Sequence, residues 1–285
     1  MVKLLRESAP AKINLFLRVT GRRGDGYHEL DSVFVPISIY DRLDIELRPA
    51  RLAAVELCCD SKAIPADERN LAFRSAREFL NEFSIRAQVL INLHKEIPVG
   101  AGLGGGSSDA GTVLRMMAEL CGIPQVAPLL AVAMRLGADV PFFLNPTPSR
   151  VRGIGERSEA LGRIEKPFLL IAVPPVEVPT AQVFRDLRPE HWSGPAPDRD
   201  IHAIIEGRIG REQLVNDLEQ VAIAKWPEIR EVKKLLEAAG ARAVAMTGSG
   251  GSVFGIFDSS IEASRACQEI GGRAPEVRTF TASVL

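Results

Sequence analysis

Alternating apolar and polar positions mark the first hundred residues as strand-rich. Strands are predicted at Lys12–Val19, Asp31–Ile39, Arg42–Leu47 and Gln88–Leu93, the third from the alternation of Leu43, Ile45 and Leu47. Gly21–Tyr27, all glycine, charge and one tyrosine, is a loop between the first two. The period lengthens at Asn70–Phe83, where Leu71, Ala72, Ser75, Ala76, Phe79 and Leu80 share a helical face. A second helix is predicted over Asp109–Leu120, with Val113, Leu114, Met117 and Leu120 inward, Gly122 as its stop and Pro124 just beyond. A third covers Ala127–Leu136 and ends at Gly137.

Asn145–Ser149 is rich in proline and breaks the pattern, so a domain joint is expected within 145–165, dividing the chain into 1–155 and 156–285. Beyond it come a strand at Phe168–Val173, a connection with Pro174, Pro175 and Pro179, and a polar loop at Pro189–Asp200. Helices over Arg211–Ala224 and Pro227–Ala239 follow. Strands Ala243–Met246 and Val253–Phe257 then flank the loop Thr247–Ser252, and a helix at Ile261–Ile270 closes the order. Strands and helices mix without regular alternation, which favours an α+β fold over a doubly wound sheet.

Composition narrows the classes. The 285 residues are 46% apolar and 25% charged, which suits a packed globular core. A net charge of −1 offers no basic excess for nucleic acid. No apolar run approaches the ~18–20 residues of a membrane span. Ile13–Val19 is interrupted by Asn14 and Arg18, unlike a signal peptide, so a cytoplasmic enzyme is expected. Cys58, Cys59, Cys121 and Cys267 form no CxxC and the four histidines are scattered, which points to reduced thiols and assigns no metal ligand. Neither nucleic acid nor membrane is assigned as a partner, and oligomeric state stays open.

The chemistry concentrates in Pro98-Val99-Gly100-Ala101-Gly102-Leu103-Gly104-Gly105-Gly106-Ser107-Ser108, which leads directly into the second helix. A backbone without Cβ atoms can fold closely around an anion, and the helix start adds its positive end. This is a phosphate cradle. It lacks the GxxxxGK[ST] lysine of a P-loop, and the chain has no protein-kinase HRD or DFG set. No acidic residue closes a βαβ unit at dinucleotide-fingerprint distance.

This stretch resembles the central motif of the GHMP kinases, the small-molecule kinases of galactose, homoserine, mevalonate and phosphomevalonate. Ala9-Pro10-Ala11-Lys12-Ile13-Asn14-Leu15-Phe16-Leu17 is similar to their first motif, and Met246-Thr247-Gly248-Ser249-Gly250-Gly251-Ser252-Val253-Phe254 to their C-terminal glycine loop. The resemblance covers nearly the whole chain. It implies a two-domain α+β fold: an N-terminal half like the second domain of ribosomal protein S5, a ferredoxin-like C-terminal half, and an active site in the cleft between them. Pro10–Leu15, Asp25-Gly26-Tyr27-His28-Glu29-Leu30, Gly137-Ala138-Asp139-Val140-Pro141-Phe142-Phe143 and Asn216-Asp217-Leu218-Glu219 resemble the branch that acts on a cytidine diphosphate-linked methylerythritol. That branch implies transfer of the ATP γ-phosphate, with Mg²⁺, to a tertiary 2-hydroxyl. A homoserine- or mevalonate-type acceptor is the alternative.

The resemblance also implies roles. Pro98, Val99, Gly100, Ala101, Gly102, Leu103, Gly104, Gly105, Gly106, Ser107 and Ser108 would hold ATP, with Asn70 and Lys95 near its base. Either serine could instead cap the helix, and Asn70 could cap the helix that follows it. Asp139, a carboxylate in an apolar segment at a helix–strand junction, is the candidate general base, or else a turn cap. Lys12 in a near-apolar strand is its expected partner, and Asn14, two residues on, faces the same side as a substrate contact. Tyr27, His28 and Phe184 would take the cytosine by stacking and hydrogen bonding. Thr247 and Gly248 would approach the reacting centre. Asn145–Arg150 departs from the family pattern where a glycine-containing turn is expected, and Gly251-Ser252 is a minor variation.

Overall fold

The computed structural model describes residues 2–124 and 127–285 and has mixed α and β content. Two long strands, β1 (Lys3–Arg22) and β2 (His28–Pro49), pair with each other across the turn in which Arg23 N donates to Tyr27 O (2.7 Å). β3 (Ala54–Cys59), helix α1 (Leu71–Glu82) and β4 (Ala87–His94) form a parallel crossover, and β4 lies antiparallel to β2 with Leu43 opposite Leu93 and Ile45 opposite Ile91. The hairpin β5 (Ser149–Gly153) and β6 (Arg157–Ala160) joins the other stretch of β2, so the first sheet runs β3-β4-β2-β5-β6 with β1 on β2. The second sheet is antiparallel in the order β10 (Arg278–Ser283), β7 (Phe168–Val173), β9 (Val253–Phe257), β8 (Ala243–Met246).

The remaining helices are α2 (Gly105–Cys121), α3 (Ala127–Leu136), α4 (Thr180–Asp186), α5 (Asp198–Ile205), α6 (Glu219–Lys225), α7 (Glu228–Ala238) and α8 (Ser260–Arg273). The chain divides into two compact units that are interleaved in sequence. One comprises the chain up to Ala11 with Ile39–Val99 and Gly104–Pro146; the other comprises Lys12–Ser38, Gly100–Leu103 and Thr147–Leu285. In the first, Leu43, Ile45 and Ile91 pack on Phe79, Val113 and Met117. In the second, Leu170, Val253 and Phe257 pack on Ile229, Leu236 and Ile270. Among the described residues no helix is long and apolar enough to cross a membrane.

Several elements differ from expectation. β1 starts at Lys3, because its first residues alternate between exposure and partial burial and carry little apolar signal. β2 runs through Tyr40-Asp41, where two strands were expected; Asp41 is a fully buried strand residue rather than a break. The 145–165 stretch holds the β5–β6 hairpin, and α4 occupies part of the proline-rich connection, starting after Pro179. α5 begins inside the polar loop. The expected helix Arg211–Ala224 is only α6; residues 211–213 and 217–218 form turns, and Asn216 bridges to Leu17. Phe142–Leu144 lies in a 3₁₀ turn over Pro141–Leu144, so Asp139 sits at a helix–turn junction, not a helix–strand one. α2 starts at Gly105 instead of Asp109, because packing overrides the poor helix propensity of glycine.

Candidate active site

The central glycine loop alternates left-handed glycines: Gly100, Gly102 and Gly104 have φ of 67°, 75° and 73°. Only glycine takes this conformation without steric cost. Gly104 is the N-cap of α2, and no side chain caps this end. Ser107 and Ser108 therefore lie inside the first turns, which corrects the capping alternative. The Ser108 hydroxyl is buried and donates to Pro10 O (2.6 Å), while Ser107 is half-buried. N–H groups of a first turn lack intrahelical acceptors and favour an anion.

Beneath this helix start lies a cluster of which sequence reading named only Lys95. Lys95, just after β4, bonds both Asp41 of β2 and Asp109 of α2, the latter at 2.7 Å, with all three side chains buried. Asp41 also accepts from the N–H groups of Glu96 (2.7 Å) and Ile97 (2.9 Å). Asp109 Oδ1 is buried with no hydrogen-bond partner in the structure. Burial pushes the Asp109 carboxyl up to about 8, against the pull of Lys95. Burial alone would lower Lys95, but Asp109 and Asp41 outweigh it and hold the ammonium above its ordinary value. Lys95 thus ties β2 to the first turns of α2. Asn70 caps α1: its Oδ1 accepts from Ala72 N (2.9 Å) and its Nδ2 donates to Pro65 O (3.0 Å). Of the cluster only Lys95 carried an expectation, near the ATP base, and the structure instead pairs it with Asp41 and Asp109.

In the second unit, Lys12 Nζ donates to Asn14 Oδ1 (2.7 Å) and lies 4.7 Å from the centroid of Phe34. Asn14 N donates to Thr247 Oγ1 (2.8 Å), and Asn14 Nδ2 to Ser32 Oγ (2.8 Å). Lys12, Asn14 and Thr247 are therefore brought together, all buried. Gly248 (φ 59°) packs on Gly102: a Cβ on Gly102 would stand 2.5 Å from Thr247 O, and one on Gly248 2.8 Å from Gly102 O. Asn216 Nδ2 holds this second loop through Met246 O (2.9 Å) and Gly248 O (3.0 Å). Its neighbour Asp217 accepts from Val19 N (2.6 Å), Ser193 N (2.9 Å) and Ser193 Oγ (2.5 Å).

An aromatic group forms at the start of β2. The His28 ring lies 5.5 Å from that of Phe184 on α4 and 6.0 Å, edge-on, from that of Trp192. His28 is buried, and burial followed by the charge of Arg22 holds its imidazole below the ordinary value. Tyr27 is exposed, its N–H held by Asp25 Oδ1 (3.2 Å). Trp192 was missed because it lies in what reads as a polar loop.

Asp139 is half-buried in the turn between α3 and the 3₁₀ turn. Gly111 on α2 lets that turn approach: a Cβ there would stand 2.5 Å from Phe143 Cβ.

The pattern of the GHMP kinases N-terminal domain matches residues 70–145, and that of the GHMP kinases C-terminal domain matches residues 201–275. This chain belongs to the GHMP kinases, ATP-dependent kinases of small molecules, and has their two-domain fold. Within the family it is 38% identical to the 4-diphosphocytidyl-2-C-methyl-D-erythritol kinase of Geobacter sp. (strain M21), over 98% of this chain and 100% of that one. A crystal structure of 4-(cytidine 5'-diphospho)-2C-methyl-D-erythritol kinase matches with a TM-score of 0.85 at 37% identity, covering 98% of this chain and 99% of that one. Homoserine kinase from Cytophaga hutchinsonii shares the fold alone, with a TM-score of 0.74 at 20% identity over 99% of this chain and 94% of that one.

Proposed function

We propose that this chain transfers the γ-phosphoryl group of ATP to the 2-hydroxyl of 4-diphosphocytidyl-2-C-methyl-D-erythritol, giving the 2-phosphate and ADP, in the non-mevalonate route to isoprenoid precursors. The observation that carries this reading is the aromatic–histidine group: the His28–Phe184 contact beside exposed Tyr27 suits a pyrimidine base. The His28 and Phe184 rings already touch, so the base stacks on Tyr27 and Phe184 while His28 reads its polar edge. A neutral imidazole has both a donor and an acceptor for this.

At the other end, the first turn of α2 takes ATP phosphates on its N–H groups. The hydroxyl proton passes to the Asp139 carboxylate as its oxygen bonds the γ-phosphorus, and the bond to the ADP oxygen breaks. Lys12, oriented by Asn14, is proposed to favour the ionised Asp139 and the developing alkoxide. No group of three or more His, Cys, Asp and Glu among the described residues could hold a metal. Mg²⁺ suits this chain as a passenger on the ATP phosphates, since it keeps several waters and needs few protein oxygens. The Ser107 hydroxyl is the proposed contact.

The test is ATP turnover with three acceptors side by side: 4-diphosphocytidyl-2-C-methyl-D-erythritol, homoserine and mevalonate. The first should be preferred by orders of magnitude in kcat/KM. Preference for either of the others overturns the reading. Asp139→Asn should lower kcat by about 10²–10⁴ with ATP affinity retained.

A further inference from the structure

Residues 192–196 read as an unremarkable polar connection, yet buried groups fasten them at three points. Asp217 accepts both the N–H and the hydroxyl of Ser193. Gly194 N donates to Val19 O (3.2 Å). Asp31, buried and held at both oxygens by Arg150 (2.9 and 2.7 Å), accepts from Ala196 N (2.8 Å). Such anchoring is strong for a connection, because charged acceptors make the stronger hydrogen bonds. It fixes the backbone next to Trp192.

The Trp192 ring meets His28 at 82°, while Phe184 covers His28 at 31° from another side. The imidazole is thereby restrained in two directions. The indole N–H is buried without a hydrogen-bond partner. A buried unsatisfied donor carries a cost of about 1–3 kcal/mol, which a phenylalanine in a purely space-filling role would avoid.

We propose that Trp192 is a specificity-determining positioning residue: held by the Asp217 and Asp31 anchors, it locks the His28 imidazole in the orientation that reads the nucleobase of the acceptor. It acts through His28 and touches no reacting atom. The proposal rests on the reading of His28 as the base-recognising residue.

The experiment is steady-state kinetics on wild type, His28→Ala, Trp192→Leu, Trp192→Phe and the His28→Ala/Trp192→Leu pair, varying the cytidine acceptor and ATP separately. Trp192→Leu should raise KM for the acceptor on the order of tenfold, the size of a coupling between contacting side chains. KM for ATP and kcat should stay within about twofold. Trp192→Phe keeps a ring edge and should recover most of the acceptor affinity. In the His28→Ala background, Trp192→Leu should add nothing. Additive effects, or equal losses for ATP and acceptor, overturn the positioning role. If His28→Ala itself leaves acceptor KM unchanged, the reading of His28 fails instead. As a readout independent of turnover, NMR titration of His28 in Trp192→Leu should move the imidazole up toward its ordinary value as water reaches the ring. An unchanged titration counts against the proposal.

Discussion

The two glycine loops are similar in sequence and unlike in what they do with their backbone. Each carries three left-handed glycines: Gly100, Gly102 and Gly104 in one, Gly248, Gly250 and Gly251 in the other. The first opens onto the 17-residue helix α2, so N–H groups of the opening turn are left for an anion. The second joins β8 to β9 and closes on itself: Thr247 N donates to Ser252 O (3.0 Å) and Gly250 N to Thr247 O (3.2 Å). Its outward carbonyls are taken by Asn216. Glycine content marks a backbone conformation; the element that follows decides whether the loop binds or buttresses.

The sharpest way to break this comparison is at the contact between the loops. Gly102→Ala combines a left-handed φ with a 2.5 Å overlap on Thr247 O, an atom of backbone that cannot swing away. It should cost roughly 3 kcal/mol or more and depress activity, read by denaturant unfolding and turnover. Asn216→Ala leaves two loop carbonyls without their donor and should cost about 1–3 kcal/mol. Gly251→Ala makes only ordinary contacts, with Val176 O at 3.5 Å and Ala101 Cα at 3.8 Å, so only the left-handed penalty of about 1–2 kcal/mol applies. Gly106→Ala reverses the sign. Inside α2, with Leu71 Cδ1 at 3.6 Å, it should stabilise by about 0.5–1 kcal/mol yet raise KM for ATP, because the added methyl enters the first turn proposed to hold the phosphates. Unchanged KM for ATP in that variant would remove the first loop from phosphate binding.

The two loops also differ in what holds the neighbouring chain: an ionic cluster at the first turns of α2, a neutral amide on the second loop. Burial pushes the Asp109 carboxyl up to about 8 in the folded chain, against about 3.9 unfolded. Between these values the native state holds a proton that the unfolded chain has released. Its contribution to stability is therefore full below about pH 4 and lost as pH rises toward 8. Asp109→Asn should flatten the thermal-stability profile between pH 5 and 8 relative to wild type. Parallel profiles would show that Asp109 is ionised at neutrality.

The sequence made the order of the two loops and the amphipathic helices legible, because each has a local signature. The strand period alone put Lys12 and Asn14 on one side, as their 2.7 Å hydrogen bond bears out. What escaped was set by distant partners. Asp41, Lys95 and Asp109 meet across β2, β4 and α2 and share no motif. Arg150, in the stretch that departs from the family pattern, lies in β5 and pairs with buried Asp31, a role that local composition does not signal. α4 and α5 are too short to show much periodicity, and each begins just after a proline that reads as a break.

Within Asn216-Asp217-Leu218-Glu219, three side chains fasten other parts of the chain. Asn216 holds the β8–β9 loop, Asp217 holds Val19 and Ser193, and Glu219 accepts from Met246 N (3.0 Å). The Val19–Asp217 tie spans 198 residues of sequence. Closures of that length carry a large entropic barrier and rank among the later events of folding. The destabilisation of Asp217→Ala, which cuts that tie, should accordingly appear as faster unfolding rather than slower folding. In a newly made chain these ties would then be the last to close and, on denaturation, the first to open.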